Sequence, residues 1–272
     1  METNTKSTKA SLIDTQLFTL AHSDYNWNDL VLDQETLDEL ENIKTWVQHR
    51  KDLSKNWGIS GPTGITYLAL FSGPSGTGKT LAATLIGKET RNPVYRIDLS
   101  AIVSKYIGET EKNLSALLAN AAYKGAILLF DEADALFGKR AEVKDAHDRY
   151  ANLEVSYLMQ KLETYPGLVI FIQNQQLEID DAFLRRFDNI VYFPFPHQEL
   201  RSQLWKQYAG NKIKLAKDVD LDELSKNYEL NGSDITKVIR NAVLTSIRKG
   251  EKEIGHNNLL TNIGKLLGKK AN

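Results

Sequence analysis

The chain has 272 residues, no cysteine and a balanced charge, with 34 Lys and Arg against 35 Asp and Glu. This excludes disulfides, thiolate metal sites and cysteine nucleophiles, and it excludes a global basic field that would draw the chain to nucleic acid or anionic lipid. The 42% hydrophobic fraction is that of an ordinary soluble globular protein. Because the sequence has no run of 18 apolar residues and no hydrophobic signal region, we expect a cytoplasmic protein without membrane insertion.

The first part of the chain predicts a tail, a helix and a loop. Residues 1–22 are polar and rich in Thr and Ser, which favours a flexible tail. From Asp24 to Arg50, apolar residues recur at three- and four-residue spacing, with acidic residues early and basic ones late, as in an amphipathic helix. Residues 51–66 contain three glycines and a proline, which predict a loop before the first buried strand.

The next segment, Gly73-Pro74-Ser75-Gly76-Thr77-Gly78-Lys79-Thr80, matches G-x-x-x-x-G-K-[ST] at every fixed position. An apolar run at 67–72 predicts a strand before it, and the run from Leu81 predicts a helix after it, which is the context that a phosphate-binding loop requires. Glycines let the backbone wind closely around phosphate oxygens, and N–H groups at the helix start face the anion. Lys79 would reach the β- and γ-phosphates and Thr80 would ligate Mg²⁺. We therefore predict an ATP site formed by residues 73–81.

Strands and helices then alternate. Apolar runs predict further strands at 94–98, 126–130, 168–172 and 190–193, with helical patterns between them. Such alternation indicates a three-layer α/β domain with a mainly parallel sheet and ligands at the carboxyl ends of the strands. Beyond Phe195-Pro196 the patterns are helical only. We expect a tail at 1–22, an α/β domain at 23–194 and a small all-helical domain at 195–272.

Polar residues follow two of these predicted strands. Asp131 comes directly after a buried strand and could hold Mg²⁺ through its water, while Glu132 could orient or deprotonate a water that attacks the γ-phosphate. Asn174 follows the next strand, where its amide could donate to the γ-phosphate or to that water. Arg185 and Arg186 end a short predicted helix, and one fixed cation near the γ-phosphate would stabilise the transition state.

Six segments in order closely resemble the AAA ATPases, from about Asp24 to Ile247: GPSGTGKT, SKYIGETEKNL, LLFDEADALF, VIFIQNQ, IDDAFLRRFD and NGSDITKVIRNAV. The resemblance implies a P-loop NTPase domain followed by a helical lid, and a homo-oligomer, normally a hexameric ring. It implies the following roles: Walker B residues Asp131 and Glu132, sensor 1 Asn174, arginine fingers Arg185 and Arg186 that reach the next subunit's ATP, lid residues Gly232 and Ser233 over the adenine, and Asp29, Leu30 and Val31 on its other side.

The same resemblance implies a pore loop at Lys105, Tyr106, Ile107 and Gly108, whose aromatic grips a threaded polypeptide without reading its sequence. Residues 138–148 resemble a second pore loop. Two features depart from the family pattern: Gln173 precedes Asn174 where many relatives have Thr, and no second-sensor arginine occurs at Ser233 or Asp234. Residues 137–163 also resemble ATPases associated with bacterial contractile injection systems.

Three functions compete at this point. The favoured one is an ATP-driven motor that remodels a polypeptide or a protein complex. A scaffold ordered by ATP binding alone is the second, and the completeness of Glu132, Arg185 and Arg186 argues against it. The third is a nucleic-acid motor, since residues 131–134 spell a helicase motif, but such helicases need two ATPase-type domains.

Overall fold

In the computed structural model of the chain, the structure describes residues 18–58, 66–97, 110–134, 156–174, 181–210 and 213–270. These residues fall into two compact units. The first comprises the described residues of Met1–Trp27, Glu35–Gly73 and Lys79–Phe193, and the second those of Asn28–Gln34, Pro74–Gly78 and Pro194–Asn272. The predicted domain boundaries at 22 and 194 stay a prediction.

The first unit contains one sheet of six strands in the order β1-β3-β4-β5-β2-β6. The strands are β1 (Phe18–Ala21), β2 (Tyr67–Ser72), β3 (Val94–Ile97), β4 (Ile127–Phe130), β5 (Leu168–Gln173) and β6 (Asn189–Tyr192). Every pairing is parallel except that of β1 with β3. The accompanying helices are α1 (Gln34–Asn56), α2 (Lys79–Thr90), α3 (Thr110–Tyr123) and α4 (Asp181–Leu184), and residues 156–162 are also helical.

Burial explains why the central strands are uniformly apolar. All residues of β4 and β5 are buried, and successive strand residues point to opposite faces, so both faces of the sheet are covered. Against one face pack α3 and the helical residues 156–162, through Leu114, Leu118, Leu158 and Leu162. Phe130 and Phe171 stack on this face with ring centroids 5.0 Å apart.

At its N-terminal end the structure differs from the predicted tail. Phe18–Ala21 pairs antiparallel with β3, in the register Phe18 opposite Ile97 and Ala21 opposite Val94. The aromatic ring of Phe18 packs on Tyr95 at 5.6 Å, whereas Leu20 is exposed. Four residues with a single anchoring side chain give a weak sequence signal, because the pairing partner lies far along the chain. The prediction of a tail is therefore corrected for residues 18–21, and residues 1–17 lie outside the described residues.

The second unit contains four helices: α5 (Gln198–Ala209), α6 (Leu221–Asn227), α7 (Gly232–Lys249) and α8 (His256–Lys270). Its core is formed by buried apolar side chains of all four helices, including Trp205, Leu224, Ile235 and Leu259. Asp220 caps α6 by accepting from the N–H groups of Asp222 and Glu223, and Gly250 ends α7 in the left-handed conformation.

The predicted mixed α/β fold, with a mainly parallel sheet followed by a helical region, is confirmed. Among the described helices, none is both long and apolar enough to cross a membrane.

Candidate functional site

Strands β4, β5 and β2 lie side by side and parallel, so their carboxyl ends share one edge of the sheet. Phe130 pairs with Phe171, and Ser72 pairs with Gln173. Asp131, Asn174 and Gly73 each follow directly on one of these strands. The sheet register therefore brings the ends of three predicted site segments together at one edge of the first unit.

The predicted phosphate-binding loop has three positions whose backbone conformation favours glycine. Gly73, Gly76 and Gly78 have φ values of 133°, 81° and 106°. A Cβ on Gly73 would lie 2.2 Å from the carbonyl oxygen of Phe193, and a Cβ on Gly76 would lie 2.6 Å from Oδ1 of Asn231. The Thr77 hydroxyl donates to the Pro74 carbonyl at 2.9 Å and closes the turn. The loop is therefore tightly packed at its three glycines, where the structure leaves no room for a side chain.

Lys79 begins α2 directly after this loop, and its side chain is buried. The ammonium group donates to the Gly73 carbonyl at 2.6 Å. Burial lowers the pKa of Lys79 to about 8, and the nearby carboxylates of Asp131 and Asp134 oppose that shift. A cation held on the loop backbone is suited to binding a phosphate. Burial has already removed much of the water around the ammonium group, so an incoming anion has less water to displace.

Asp131 and Glu132 are held differently. Oδ2 of Asp131 lies 2.9 Å from a guanidinium nitrogen of Arg96 on β3, and Oδ1 accepts from the N–H of Glu132 at 3.0 Å. Glu132 has φ of 57°, which is strained for a residue with a side chain, and it is exposed. Backbone strain of this kind is often found at functional sites, and here it sets the direction of the Cα–Cβ bond of Glu132 at the strand end.

Asn174 is joined to this acidic segment through its backbone. Its N–H donates to Oδ2 of Asp134 at 3.2 Å, and the N–H of Ala133 donates to the carbonyl of Ile172 at 2.9 Å. The turn after β4 is thus bonded to the end of β5. The sequence interpretation assigned no role to Arg96 or Asp134. Asp134 lies in the segment LLFDEADALF, but Arg96 belongs to no recognised motif, and the pairing of β3 with β4 brings it to this edge.

The two predicted arginine fingers lie in different surroundings. The guanidinium of Arg186 forms an ion pair with Glu163, and it lies 5.8 Å from the ring centre of Phe183. Arg185 is exposed, and among the described residues its side chain has no hydrogen-bond or ion-pair partner. The pair is therefore unequal, with one guanidinium fixed within the chain and the other projecting into solvent.

Within the second unit, two segments contact the loop residues Pro74–Gly78. Leu30 lies beside Gly78, where an added Cβ would be 2.7 Å from Leu30 Cδ1, and Val31 packs on the helical core. At the start of α7, the Asn231 amide donates to the Ser75 carbonyl at 3.0 Å, and Ser233 lies beside Gly76. Asn231 was also missed from the sequence, although an Asn before Gly232-Ser233-Asp234 is a recognisable helix cap.

Several predicted residues lie outside the described residues. These are the pore-loop residues Lys105, Tyr106, Ile107 and Gly108 and the second loop at 138–148. Their predicted roles stay predictions.

The residues present fit a magnesium nucleotide. Three loop glycines leave a cradle that a Cβ would fill, and a buried lysine follows it. Among the described residues, no group of three His, Cys, Asp or Glu side chains could hold a metal ion by itself. Mg²⁺ is commonly held by one or two protein groups together with substrate phosphates, and the Thr80 hydroxyl and the Asp131 carboxylate are groups of that kind.

Comparisons with known proteins agree with this geometry. Residues 69–195 match the family described as ATPase family associated with various cellular activities (AAA). The chain is 30% identical over 234 residues to the cell division protein C of Sulfolobus acidocaldarius, covering 82% of this chain and 60% of the relative. It is 32% identical over 222 residues to the proteasome-activating nucleotidase of Aeropyrum pernix, covering 79% and 53%. It is 34% identical over 191 residues to spastin of Xenopus laevis, covering 68% and 32%.

The chain thus spans less than two thirds of the length of each of these relatives. The matched segment begins inside β2, includes the glycine loop and the acidic strand end, and extends past β6. The chain therefore contains an AAA ATPase domain, with its relatives among the AAA proteins.

Proposed function

We propose that the chain binds ATP with Mg²⁺ at the loop Gly73–Thr80 and hydrolyses it. The observation that carries this proposal is the glycine cradle followed by buried Lys79, whose ammonium group already rests on the Gly73 carbonyl. Backbone N–H groups of the loop would bind phosphate oxygens, and Lys79 would neutralise the charge on the β- and γ-phosphates. Leu30, Gly232 and Ser233 are proposed to contact the base and ribose.

For the hydrolytic step, Thr80 and Asp131 would hold Mg²⁺, which neutralises charge on the phosphate oxygens when bound. Glu132 would orient the attacking water and accept its proton, and the strained backbone at this residue supports a role that requires one direction of the side chain. Asn174 would position the same water or the γ-phosphate. Its backbone link to Asp134 ties it to the acidic segment.

We further propose that the working form is a ring of copies, normally six, in which Arg185 reaches the ATP of a neighbour. Arg185 has the freedom that such a role needs, since its side chain has no partner in the described part of the chain. Arg186, paired with Glu163, would hold the segment that carries Arg185. One cation supplied between subunits can accelerate phosphoryl transfer by about 10³-fold or more.

The proposed client is a polypeptide or protein complex in the cytoplasm. The name of one relative, a proteasome-activating nucleotidase, supports a machine that acts on a protein assembly. Threading would use Tyr106 and its neighbours. A more specific proposal is that the client belongs to a contractile injection system. It rests only on the resemblance of residues 137–163 to ATPases associated with such systems.

The proposed hydrolysis is tested with Glu132→Gln in an ATPase assay and in sedimentation with ATP. The variant should bind ATP, lose at least about 100-fold in hydrolysis and accumulate as ATP-bound oligomers. Hydrolysis at the parent rate would show that Glu132 is not the base.

The arginine roles are separated by a matched pair of substitutions. Arg185→Ala should keep thermal stability and lose hydrolysis. Mixing it with Glu132→Gln subunits, whose Arg185 is intact, should restore part of the hydrolysis at the Arg185→Ala subunits, because the proposed arginine acts on the ATP of a neighbour. Arg186→Ala should lower stability by up to about 1 kcal/mol, because it removes a partly exposed ion pair. If Arg185→Ala hydrolysed ATP normally, the finger assignment would be wrong.

A further inference from the structure

Asn231 uses both ends of its side-chain amide. It is the residue before α7, and its Oδ1 accepts from the N–H of Asp234 at 2.9 Å, which caps the helix. Its Nδ2 donates to the carbonyl of Ser75 at 3.0 Å, across 156 positions of sequence. The side chain is 7% exposed. A capping residue needs only the first bond, so the second requires its own explanation.

The direction of the Ser75 carbonyl determines the direction of the next N–H group. A trans peptide is planar, so the carbonyl of Ser75 and the N–H of Gly76 point in opposite directions. A loop that binds phosphate through N–H groups must turn its carbonyls away from the anion, since a carbonyl oxygen in the cradle would repel it. The amide of Asn231 gives the Ser75 carbonyl a buried hydrogen-bond donor. Gly76, at φ of 81°, is also packed against Asn231.

We propose that Asn231 is a positioning residue for the phosphate loop: it sets the Ser75–Gly76 peptide so that the N–H faces the phosphates, and it couples this to the first turn of α7. This inference rests on the proposed nucleotide binding and adds to it the residue that orders the loop before nucleotide arrives. Because one side chain makes both bonds, phosphate binding and the helix start should stabilise each other.

The test separates the two bonds of this amide. In Asn231→Asp, a carboxylate oxygen can still cap Asp234, but the oxygen that replaces Nδ2 faces the Ser75 carbonyl and repels it. Binding of ATP and of ADP is measured by calorimetry in EDTA, without Mg²⁺. We expect the Kd of both nucleotides to rise about tenfold, the size of effect given by losing one buried hydrogen bond. Protection of the α7 amides from hydrogen exchange should be kept.

Asn258→Asp is the matched control. Its Nδ2 also donates to a backbone carbonyl of α7, that of Ala242 at 3.0 Å, but it does not contact the loop. This variant should change the nucleotide Kd by less than twofold. A neutral variant, Asn231→Ser, keeps a capping oxygen and lacks the reach to Ser75, so it should weaken binding while thermal unfolding stays close to the parent.

A nucleotide Kd within twofold of the parent in Asn231→Asp and Asn231→Ser would overturn the inference, as would an equal loss in Asn258→Asp. A second readout does not need nucleotide. In the unliganded protein, residues 74–78 should exchange hydrogen faster in Asn231→Asp than in the parent or in Asn258→Asp, and unchanged exchange would contradict the inference. Failure of the proposed function would appear separately, as a parent protein that binds no ATP.

Discussion

The phosphate loop and the acidic strand end serve one proposed reaction, but they are held by different forces. The loop is fixed by contact, because Gly73 and Gly76 have backbone or buried atoms where a side chain would be. The acidic end is fixed by charge and strain, through the ion pair of Asp131 with half-exposed Arg96 and the left-handed backbone of Glu132. The loop is thus held by packing, whereas the acidic end carries backbone strain of the kind that is often found at functional sites.

The largest expected effect is that of Gly73→Ala. The new Cβ would lie 2.2 Å from a backbone oxygen at φ of 133°, so strain and overpacking together should cost about 4 kcal/mol. Chemical denaturation measures this. The control is Gly250→Ala, which has φ of 71° but nothing within 4 Å, and which should cost only about 1 kcal/mol. Equal costs at the two sites would show that contact does not fix the loop.

Glu132→Gly should separate stability from activity at the acidic end. Relief of the left-handed backbone should raise the free energy of unfolding by up to about 1 kcal/mol, while loss of the carboxylate should lower hydrolysis at least about 100-fold. Arg91 also has a positive φ, of 58°, at the end of α2. Arg91→Gly should therefore stabilise the protein without the loss of hydrolysis. A Glu132→Gly protein that is less stable than the parent would contradict the inference that the backbone of Glu132 is strained.

At the other end of β4, the Tyr165 hydroxyl is expected to affect stability and not hydrolysis. The Tyr165 hydroxyl donates to the Ala126 carbonyl at 2.6 Å, and burial raises the pKa of Tyr165 above its usual value near 10. The unfolded chain loses this proton first, so the stabilisation is complete below about pH 10 and declines as pH rises above it. Tyr165→Phe should cost about 1 kcal/mol at pH 8 and make the alkaline decline shallower.

The free energy of unfolding, measured with denaturant at pH values from 8 to 11, checks this prediction. Exposed Tyr123→Phe is the control and should leave the curve unchanged. A Tyr165→Phe curve parallel to that of the parent would mean that Tyr165 does not carry the alkaline dependence.

Arg96→Gln should have the smallest effect on stability. Its side chain is 51% exposed, so loss of the pair with Asp131 should cost less than about 0.5 kcal/mol, and the cost should shrink at high salt. Unfolding at 50 mM and 500 mM NaCl measures it. A cost of several kcal/mol, independent of salt, would place Arg96 with the tightly packed loop rather than with the charged end.

Local sequence patterns were enough to predict the main elements. The strand 67–72 was predicted with the bounds it has, and the positions of Asp131 and Asn174 after β4 and β5 followed from uniformly apolar runs. The fifth predicted strand was displaced by one residue, since β6 runs from Asn189 to Tyr192. Strand ends are weakly encoded, because register depends on the neighbouring strand.

Contacts between distant residues could not be predicted. Arg96 meets Asp131 only because β3 and β4 pair, and Asn231 reaches Ser75 only in the folded chain. The sequence also presented Arg185 and Arg186 as equivalent, whereas Glu163 holds one of them. In each case the deciding partner is far along the chain, where periodicity and motif spacing carry no information.

The central claim is that the glycine loop and Lys79 bind a triphosphate. Calorimetric titration of ATP with Mg²⁺ into the parent and into Lys79→Ala, with matched thermal unfolding of both proteins, tests it most directly. The account predicts saturable one-site binding by the parent and a loss of at least about 100-fold in Lys79→Ala, since a buried charge partner of the phosphates is removed. Equal affinity for ATP in the two folded proteins would contradict it.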